Sequence, residues 1–140
     1  MDLSAIDLSA AGLRVQRRRM DLIASNLANG DTTSARQETV IGEDGQPLVR
    51  HVPYRRKIAR VAVGAGGVPE VRVVEDASDL RTESQPGHPH AGADGIVRYP
   101  NVDPLTETVD LIAASRAYEA NLTAIEVAKA MHQSALRILG

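Results

Sequence analysis

Apolar and small residues recur every three or four positions at the start of the chain, which is the spacing of one stripe along a helix. Arg17 interrupts the stripe once, and Asn29-Gly30 follows it; glycine tolerates the left-handed conformation that often closes a helix. The pattern predicts an N-terminal helix within residues 1–30. Its stripe consists of Leu3, Ile6, Ala10, Leu13, Met20, Ala24 and Leu27.

A longer helical pattern occupies residues 102–140, where no proline or glycine follows Pro104 until Gly140. Asp103 can cap free N–H groups, Pro104 suits the first helical position, and Glu107 lies near the positive end of the helix dipole. At 1.5 Å per residue the predicted helix is about 54 Å long. Two adjacent apolar stripes run along it: Leu111, Tyr118, Leu122, Ile125, Leu136 and Leu139, and Ala117, Ala120, Ala124, Val127, Met131 and Ile138.

Between the two helices, residues 31–101 are rich in glycine and proline, and β-branched residues alternate with polar ones. "RKIARVAV", "GAGG" and "VPEVRVVED" predict a β-hairpin, and "ETVI" and "LVRHV" predict a second pair around Asp44-Gly45. "SQPGHPHAGADG" is typical of a loop. The predicted fold is mainly α with a small β segment, in which long N- and C-terminal helices pack as a coiled-coil-like pair and the middle insertion is rich in β-hairpins.

The C-terminal helix is longer than any compact domain of this chain, and one shorter helix cannot cover both of its stripes. We therefore expect other chains to cover them. The composition agrees, because a core without tryptophan or phenylalanine suits helix packing better than a deep ligand pocket.

The remaining composition excludes several classes. The net charge of −2 gives no overall field for nucleic acid or an anionic membrane, and the absence of cysteine excludes disulfides and thiolate metal sites. The start of the chain has no basic segment followed by an apolar run, so we expect no cleaved secretory signal peptide, and no run is long enough to span a membrane.

Three polar motifs offer alternative chemistry. His88, His90 and Asp94 are possible zinc ligands, although Pro89 stiffens the segment and no fourth ligand stands at a suitable spacing; a solvated turn is the favoured interpretation. The run from Arg14 to Arg19 is a possible nucleic-acid patch, but it lacks aromatic residues that could stack on bases. Asp21 can pair with Arg17 or Arg18 at helical spacing. Salt links from the run to acids on neighbouring helices are favoured over nucleic-acid binding, with Asp110, Glu119 and Glu126 as plausible acceptors.

Nothing in the sequence favours catalysis. "GAGG" lacks the lysine and the following helix of a phosphate-binding loop, and Ser115 has no nearby histidine. In "AASRAYEANL", Arg116 and Glu119 form one helical pair and Tyr118 and Asn121 form another, on different faces. The motif is therefore interpreted as a set of helix-packing residues.

The motifs at both ends carry a resemblance to a known family. "ASNLAN" at 24–29, "PGHP" at 86–89, "ADG" at 93–95, "YPNVD" at 99–103 and "ASRAYEAN" at 114–121 resemble the axial proteins of the bacterial flagellum, and most of all the FlgC family of proximal rod proteins. The family commonly has a phenylalanine in the hairpin region, where this chain has none. A sister rod or hook protein is the nearest alternative.

The resemblance implies a structural, non-enzymatic subunit of the basal-body rod, a shaft in the periplasm that transmits motor torque for motility. It implies copies of the chain and other rod proteins as partners, no cofactor, no metal, no nucleic acid, no small-molecule substrate and no membrane insertion. Export would proceed through the flagellar type III apparatus without a cleaved signal peptide. The expected subunit-interface residues are Leu3, Ile6, Leu13, Met20, Asn26, Leu27, Asn29, Asn101, Val102, Leu111, Arg116, Tyr118, Asn121, Leu122, Ile125, Met131 and Leu136.

Overall fold

A long helix opens the part of the chain that the computed structural model describes, which comprises residues 5–41, 45–64 and 67–139. This helix, α1, spans Ala5–Ala28, and the predicted interface residue Leu3 lies outside the described residues. The helix stops before Asn29-Gly30 as predicted, but Gly30 does not adopt the left-handed conformation, because the described glycines with positive φ are Gly45, Gly67 and Gly95. At the helix end the Ser25 carbonyl accepts both the backbone N–H of Asn29 at 3.2 Å and the Asn29 side-chain amide at 2.8 Å.

The second helix, α2, spans Pro104–Leu139 and begins where the sequence predicts. Asp103 caps it by accepting the backbone N–H groups of Leu105 at 3.2 Å and Thr106 at 3.3 Å, and it also accepts the Thr106 hydroxyl. The hydroxyl is the largest of several hydrogen-bonding causes that hold the pKa of Asp103 below its usual value. The cap therefore favours the charged carboxylate, whose negative charge suits a helix N-terminus.

Six short strands form three separate two-stranded sheets in the described middle of the chain. β1 (Arg36–Ile41) pairs antiparallel with β2 (Pro47–Val52), β3 (Lys57–Val63) pairs with β4 (Pro69–Glu75), and β5 (Arg81–Ser84) pairs antiparallel with β6 (Ile96–Tyr99). The first two pairs confirm the predicted ones. The third pair was not predicted, because each of its strands has only four residues and they flank the long segment 85–95.

The chain divides into two compact units, and both helices contribute to each. In the first unit, residues 1–23, 58–74 and 108–140, Gly12 of α1 lies against Asn121 of α2, and the Ser115 hydroxyl lies 3.5 Å from the Met20 sulfur. From Gly12 to Met20 along α1, the contacted residues run backwards along α2, from Asn121 to Ser115. Within this unit α1 and α2 are therefore antiparallel. The backbones come close because Ala11 and Ala114, both fully buried, are small.

The side chains that α1 buries in this unit lie on a different side of the helix from the stripe predicted from the sequence. Ala11, Val15, Leu22 and Ile23 are buried, whereas Ala10, Leu13 and Met20 of the predicted stripe are half-buried. The two terminal helices and the β-rich middle of the predicted fold are confirmed. The coiled-coil-like packing of the helices stays a prediction.

The second unit, residues 24–57 and 75–107, holds the end of α1, the first and third strand pairs, and the start of α2. Its buried apolar side chains include Tyr54, Val97 and Val102, together with Pro100. Asn26, Thr33 and Glu107 are buried polar residues in the same unit. None of the described helices has a stretch apolar and long enough to cross a lipid bilayer.

Candidate functional site

Asn26, in the last turns of α1, is at the centre of a buried polar network. Its amide nitrogen donates to the Lys57 carbonyl and to Glu107 Oε2, both at 2.9 Å. Its amide oxygen accepts the Lys57 N–H and the Tyr54 hydroxyl, also at 2.9 Å. Both donors and both acceptor positions of the amide are therefore used. The amide bonds both backbone groups of Lys57, as a neighbouring β-strand would.

Glu107, in the first turn of α2, is the fully buried carboxylate of this network. Its second oxygen, Oε1, accepts Arg56 Nε at 2.6 Å, and Arg56 also lies 3.6 Å from Asp76 through Nη1. An isolated buried carboxylate is strongly destabilising, so the guanidinium and the Asn26 amide are what make this position tolerable. We call Asn26, Tyr54, Arg56, Asn101 and Glu107 the polar junction.

Asn101 completes the polar junction from the segment before α2. Its side-chain oxygen accepts the Arg56 N–H at 2.9 Å, and its nitrogen donates to the Ser78 hydroxyl at 2.7 Å. Asp76 in turn accepts the Ser78 N–H at 2.9 Å, the largest cause that holds the pKa of Asp76 below its usual value. Two asparagines, Asn26 and Asn101, thus hold two consecutive residues, Lys57 and Arg56.

The polar junction is suited to holding three segments together and not to chemistry on a substrate. The Asn26 and Glu107 side chains are buried and fully engaged with protein partners, which leaves no open position for a reacting group. The helix dipole adds to the effect, because Glu107 lies in the first turn of α2. The end of α1, the start of β3 and the start of α2 are thereby held at one place within the second unit.

A line of exposed side chains runs along one side of α2. Its positions repeat every eleven residues, which is close to the period of a straight helix, so the line stays on one face. Arg116, Ala120 and Thr123 occupy the middle of the line. Its large apolar members are Leu105, 74% exposed, Val109, 59%, Ile112, 51%, Val127, 54%, and Met131, 68%. We call this line the outer face of α2.

The structure distributes the predicted interface residues over three environments. Exposed are Ile6, Arg116, Leu122, Met131 and Leu136; half-buried are Leu13, Met20, Leu27, Asn29, Asn101, Leu111, Tyr118, Asn121 and Ile125. Asn26 and Val102 are buried inside the second unit and leave almost no surface for another chain. Asn121 lies against Gly12 of the same chain and donates to the Ala117 carbonyl at 2.8 Å.

The alternative metal site at His88, His90 and Asp94 does not form. Among the described residues no group of three or more histidine, aspartate, glutamate or cysteine side chains is arranged to hold a metal ion. Asp94 instead accepts the Ile96 N–H at 3.1 Å, and His88 Nδ1 accepts the His90 N–H at 3.0 Å. Both potential ligands are used by the backbone of their own turn.

The arginine run on α1 also differs from its prediction. Arg14, Arg17 and Arg18 are exposed, and within the described part of the chain none of them forms an ion pair. The possible pairing of Asp21 with Arg17 or Arg18 therefore does not form in the described part of the chain, and salt links to acids on neighbouring helices stay a prediction. The outward-pointing guanidinium groups stay in solvent, where a surface ion pair contributes little.

Tyr54, Arg56 and Asp76 were missed by the sequence analysis, and Glu107 was assigned only a helix-dipole role. The only available signal was the acid in the first turn of α2 together with the basic "YRRK" segment at 54–57, and nothing in their spacing brings the two together. Arg56 and Glu107 lie 51 positions apart in the sequence, and only the fold brings them together.

Comparisons with known proteins match both ends of the chain. Residues 6–36 match the family "Flagella basal body rod protein", and residues 93–138 match "Flagellar basal body rod FlgEFG protein C-terminal". Proteins named flagellar basal-body rod protein FlgC are similar over nearly the whole length. The one from Bacillus subtilis is 41% identical, covering 96% of this chain and 95% of that protein. Those from Aquifex aeolicus and Salmonella typhimurium are 36% and 35% identical, each covering 92% of this chain and 91% of the relative.

Proposed function

The chain belongs to the FlgC family of flagellar basal-body rod proteins and is a structural subunit of the rod, and from this premise we propose that the outer face of α2 is the surface through which it joins neighbouring axial subunits. The observation that carries the proposal is the row of large, exposed apolar side chains along that face. Burial of one such side chain contributes about 1.5–3 kcal/mol, so a row of five can offset the entropy lost on association.

The unequal lengths of the two helices support the same conclusion. α1 has 24 residues and α2 has 36, which correspond to about 36 Å and about 54 Å. With Gly12 at Asn121 and the helices antiparallel in the first unit, the described part of α1, which begins at Ala5, does not reach the last turns of α2. There Met131 and Leu136 are 68% and 57% exposed. Helices of neighbouring subunits are the natural cover for this length.

The proposed interface differs from the set expected from the sequence. It includes Leu105, Val109, Ile112 and Val127, which were not in the expected set, and it excludes the buried Asn26 and Val102. From the expected set, Arg116 and Met131 lie on the outer face of α2. Ile6, Leu13, Met20, Leu27, Leu111, Tyr118, Leu122, Ile125 and Leu136 lie outside this face and stay predicted contacts. Asn29, Asn101 and Asn121 are assigned to contacts within the chain, because their amides are already hydrogen-bonded there.

The finer parts of the role follow from family membership. We place the subunit in the proximal section of the rod, in the periplasm, where it assembles with copies of itself and with other rod proteins and transmits torque. Export by the flagellar type III apparatus belongs to the same proposal. So does the absence of enzymatic activity, which the fully engaged polar junction supports.

The test is a charge placed on the outer face of α2. In Val127→Asp or Met131→Asp, an unpaired carboxylate would have to be buried on assembly, at several kcal/mol. Since each 1.4 kcal/mol is about tenfold in affinity, incorporation into basal bodies should fall by about a hundredfold or more. The measurement is recovery of the variant in purified basal bodies, together with swimming of cells that depend on it.

Gln133→Asp is the matched control, because it introduces the same side chain at an exposed position on another side of the same helix. Circular dichroism of the three purified variants checks that each remains as helical as the wild type. Normal incorporation of both outer-face variants would contradict the assignment of this surface.

A further inference from the structure

Three of the chain's four histidines meet in the second unit. His51 is in β2, and His88 and His90 are in the segment between β5 and β6. The rings of His51 and His90 are stacked with centroids 4.2 Å apart, and the His88 ring meets the His90 ring edge-on at 5.2 Å. The cluster therefore joins the first strand pair to the segment between the strands of the third.

Each Nδ1 atom of the cluster has a hydrogen-bond partner. The Thr33 hydroxyl lies 2.7 Å from His90 Nδ1, and the Ser34 hydroxyl lies 2.8 Å from His51 Nδ1. His88 Nδ1 accepts the His90 N–H at 3.0 Å, which requires that nitrogen to be unprotonated. A proton at His88 Nδ1 would remove this acceptor from the turn.

We propose that the histidine cluster is an acid-sensitive latch: uncharged rings hold the β1–β2 hairpin against segment 85–95, and protonation releases it. Two stacked imidazolium rings repel each other, and the turn bond from His90 to His88 is lost at the same time. Histidine is the side chain whose charge changes between pH 5 and 8, so the release falls in mildly acidic conditions.

The side chains around the cluster supply little negative charge to balance protonated histidine rings. The cluster borders a cavity of about 700 Å³ whose lining includes Arg50 of β2 and Arg98 of β6, and neither arginine has an ion-pair partner among the described residues. Asp94 is the one acid in the described lining, and Glu38 of β1 is already paired with Arg36 at 2.7 Å. Protonated rings would thus border a cavity whose described lining carries two cations and one carboxylate.

The pKa of His90 lies below the ordinary 6.5, first because the ring is shielded from solvent and then because His51 and His88 adjoin it. The folded chain consequently binds fewer protons than the unfolded chain in this range. The contribution of His90 to stability is complete above pH 6.5 and is lost as the pH falls towards the lower, folded value. This direction matches release by acid.

Titration by NMR of the full chain tests the cluster directly. The His90 ring should titrate at a lower pH than 6.5, and His51→Gln should move its midpoint upwards because one stacked neighbour is gone. His132→Gln is the control, since His132 is on α2, outside the cluster, and its replacement should leave the His90 midpoint unchanged. If His51→Gln leaves the titration midpoint of His90 unchanged, the proposal is overturned.

Hydrogen exchange then tests the release. After correction for intrinsic rates, protection of residues 33–35 and 88–92 should fall severalfold between pH 7.5 and pH 5, while protection of α2 stays constant. The triple variant His51→Gln/His88→Gln/His90→Gln, which has no titratable ring left in the cluster, should lose this pH dependence. Unchanged protection, or a loss that spreads over the whole chain, contradicts a local latch. Both experiments use the dilute chain and do not depend on its assembly into a rod.

Discussion

Asn26 in α1 donates a 2.9 Å hydrogen bond to Glu107 in α2, 81 positions later, and both side chains are buried. The same asparagine pairs with both backbone groups of Lys57. One amide therefore joins the two terminal helices to the β-rich middle within the second unit. The stability of this unit should depend on it more than on any exposed apolar residue.

Replacement of Asn26 by alanine removes four hydrogen bonds at once. The Lys57 backbone groups, the Tyr54 hydroxyl and one Glu107 oxygen lose a partner, so we expect the free energy of unfolding to fall by about 3 kcal/mol. Urea unfolding followed by circular dichroism measures this change. Asn29→Ala is the matched control, because its side chain makes local bonds only, and it should cost less than about 1 kcal/mol. Equal losses in the two variants would contradict a special role for Asn26.

Arg56 and Glu107 should behave as a coupled pair. Arg56→Met leaves a buried carboxylate without its cation, and Glu107→Gln leaves the guanidinium beside a neutral amide, so each should cost about 3 kcal/mol. The double variant should cost about 2 kcal/mol less than the sum, because it leaves no unpaired charge at position 107. A double-mutant cycle in urea measures the coupling. Simple additivity would show that the 2.6 Å contact contributes nothing of its own.

Gly12 and Asn121 define how closely α1 approaches α2. A Cβ atom at position 12 would lie 2.7 Å from Asn121 Oδ1, so Gly12→Ala should gain little although alanine favours a helix by about 1 kcal/mol. In an Asn121→Ala background the clash is absent, and Gly12→Ala should then stabilise the chain by about 1 kcal/mol. Thermal unfolding of the four variants measures both effects. The same gain in both backgrounds would mean that Asn121 does not limit the approach.

The sequence was sufficient for both helices and for two of the three strand pairs, because these elements depend on local signals. The cap at Asp103 and the turn at Gly45 are examples, each fixed by residues a few positions apart. The predicted stripe on α1 does not coincide with the residues that the chain buries there, which are Ala11, Val15, Leu22, Ile23 and Asn26. Periodicity finds an apolar side of a helix, but it does not say whether the same chain or another covers it.

The polar junction could not have been predicted from the sequence. Arg56 and Glu107 are each unremarkable polar residues in their local context, and only the fold removes both from solvent. The histidine cluster is a similar case: His88 and His90 were noticed as neighbours, but His51, which stacks on His90, lies 39 positions before it in the sequence.

The uncovered end of α2 has a consequence for the life of a free subunit. Val127, Met131 and Leu136 are exposed in the single chain, so the surface that we propose for assembly is also a surface on which free copies would aggregate. The concentration of the free chain then influences its aggregation as much as the affinity of this surface for another copy does. We therefore expect a cell that produces this protein to keep its free concentration low or to shield this helix before assembly.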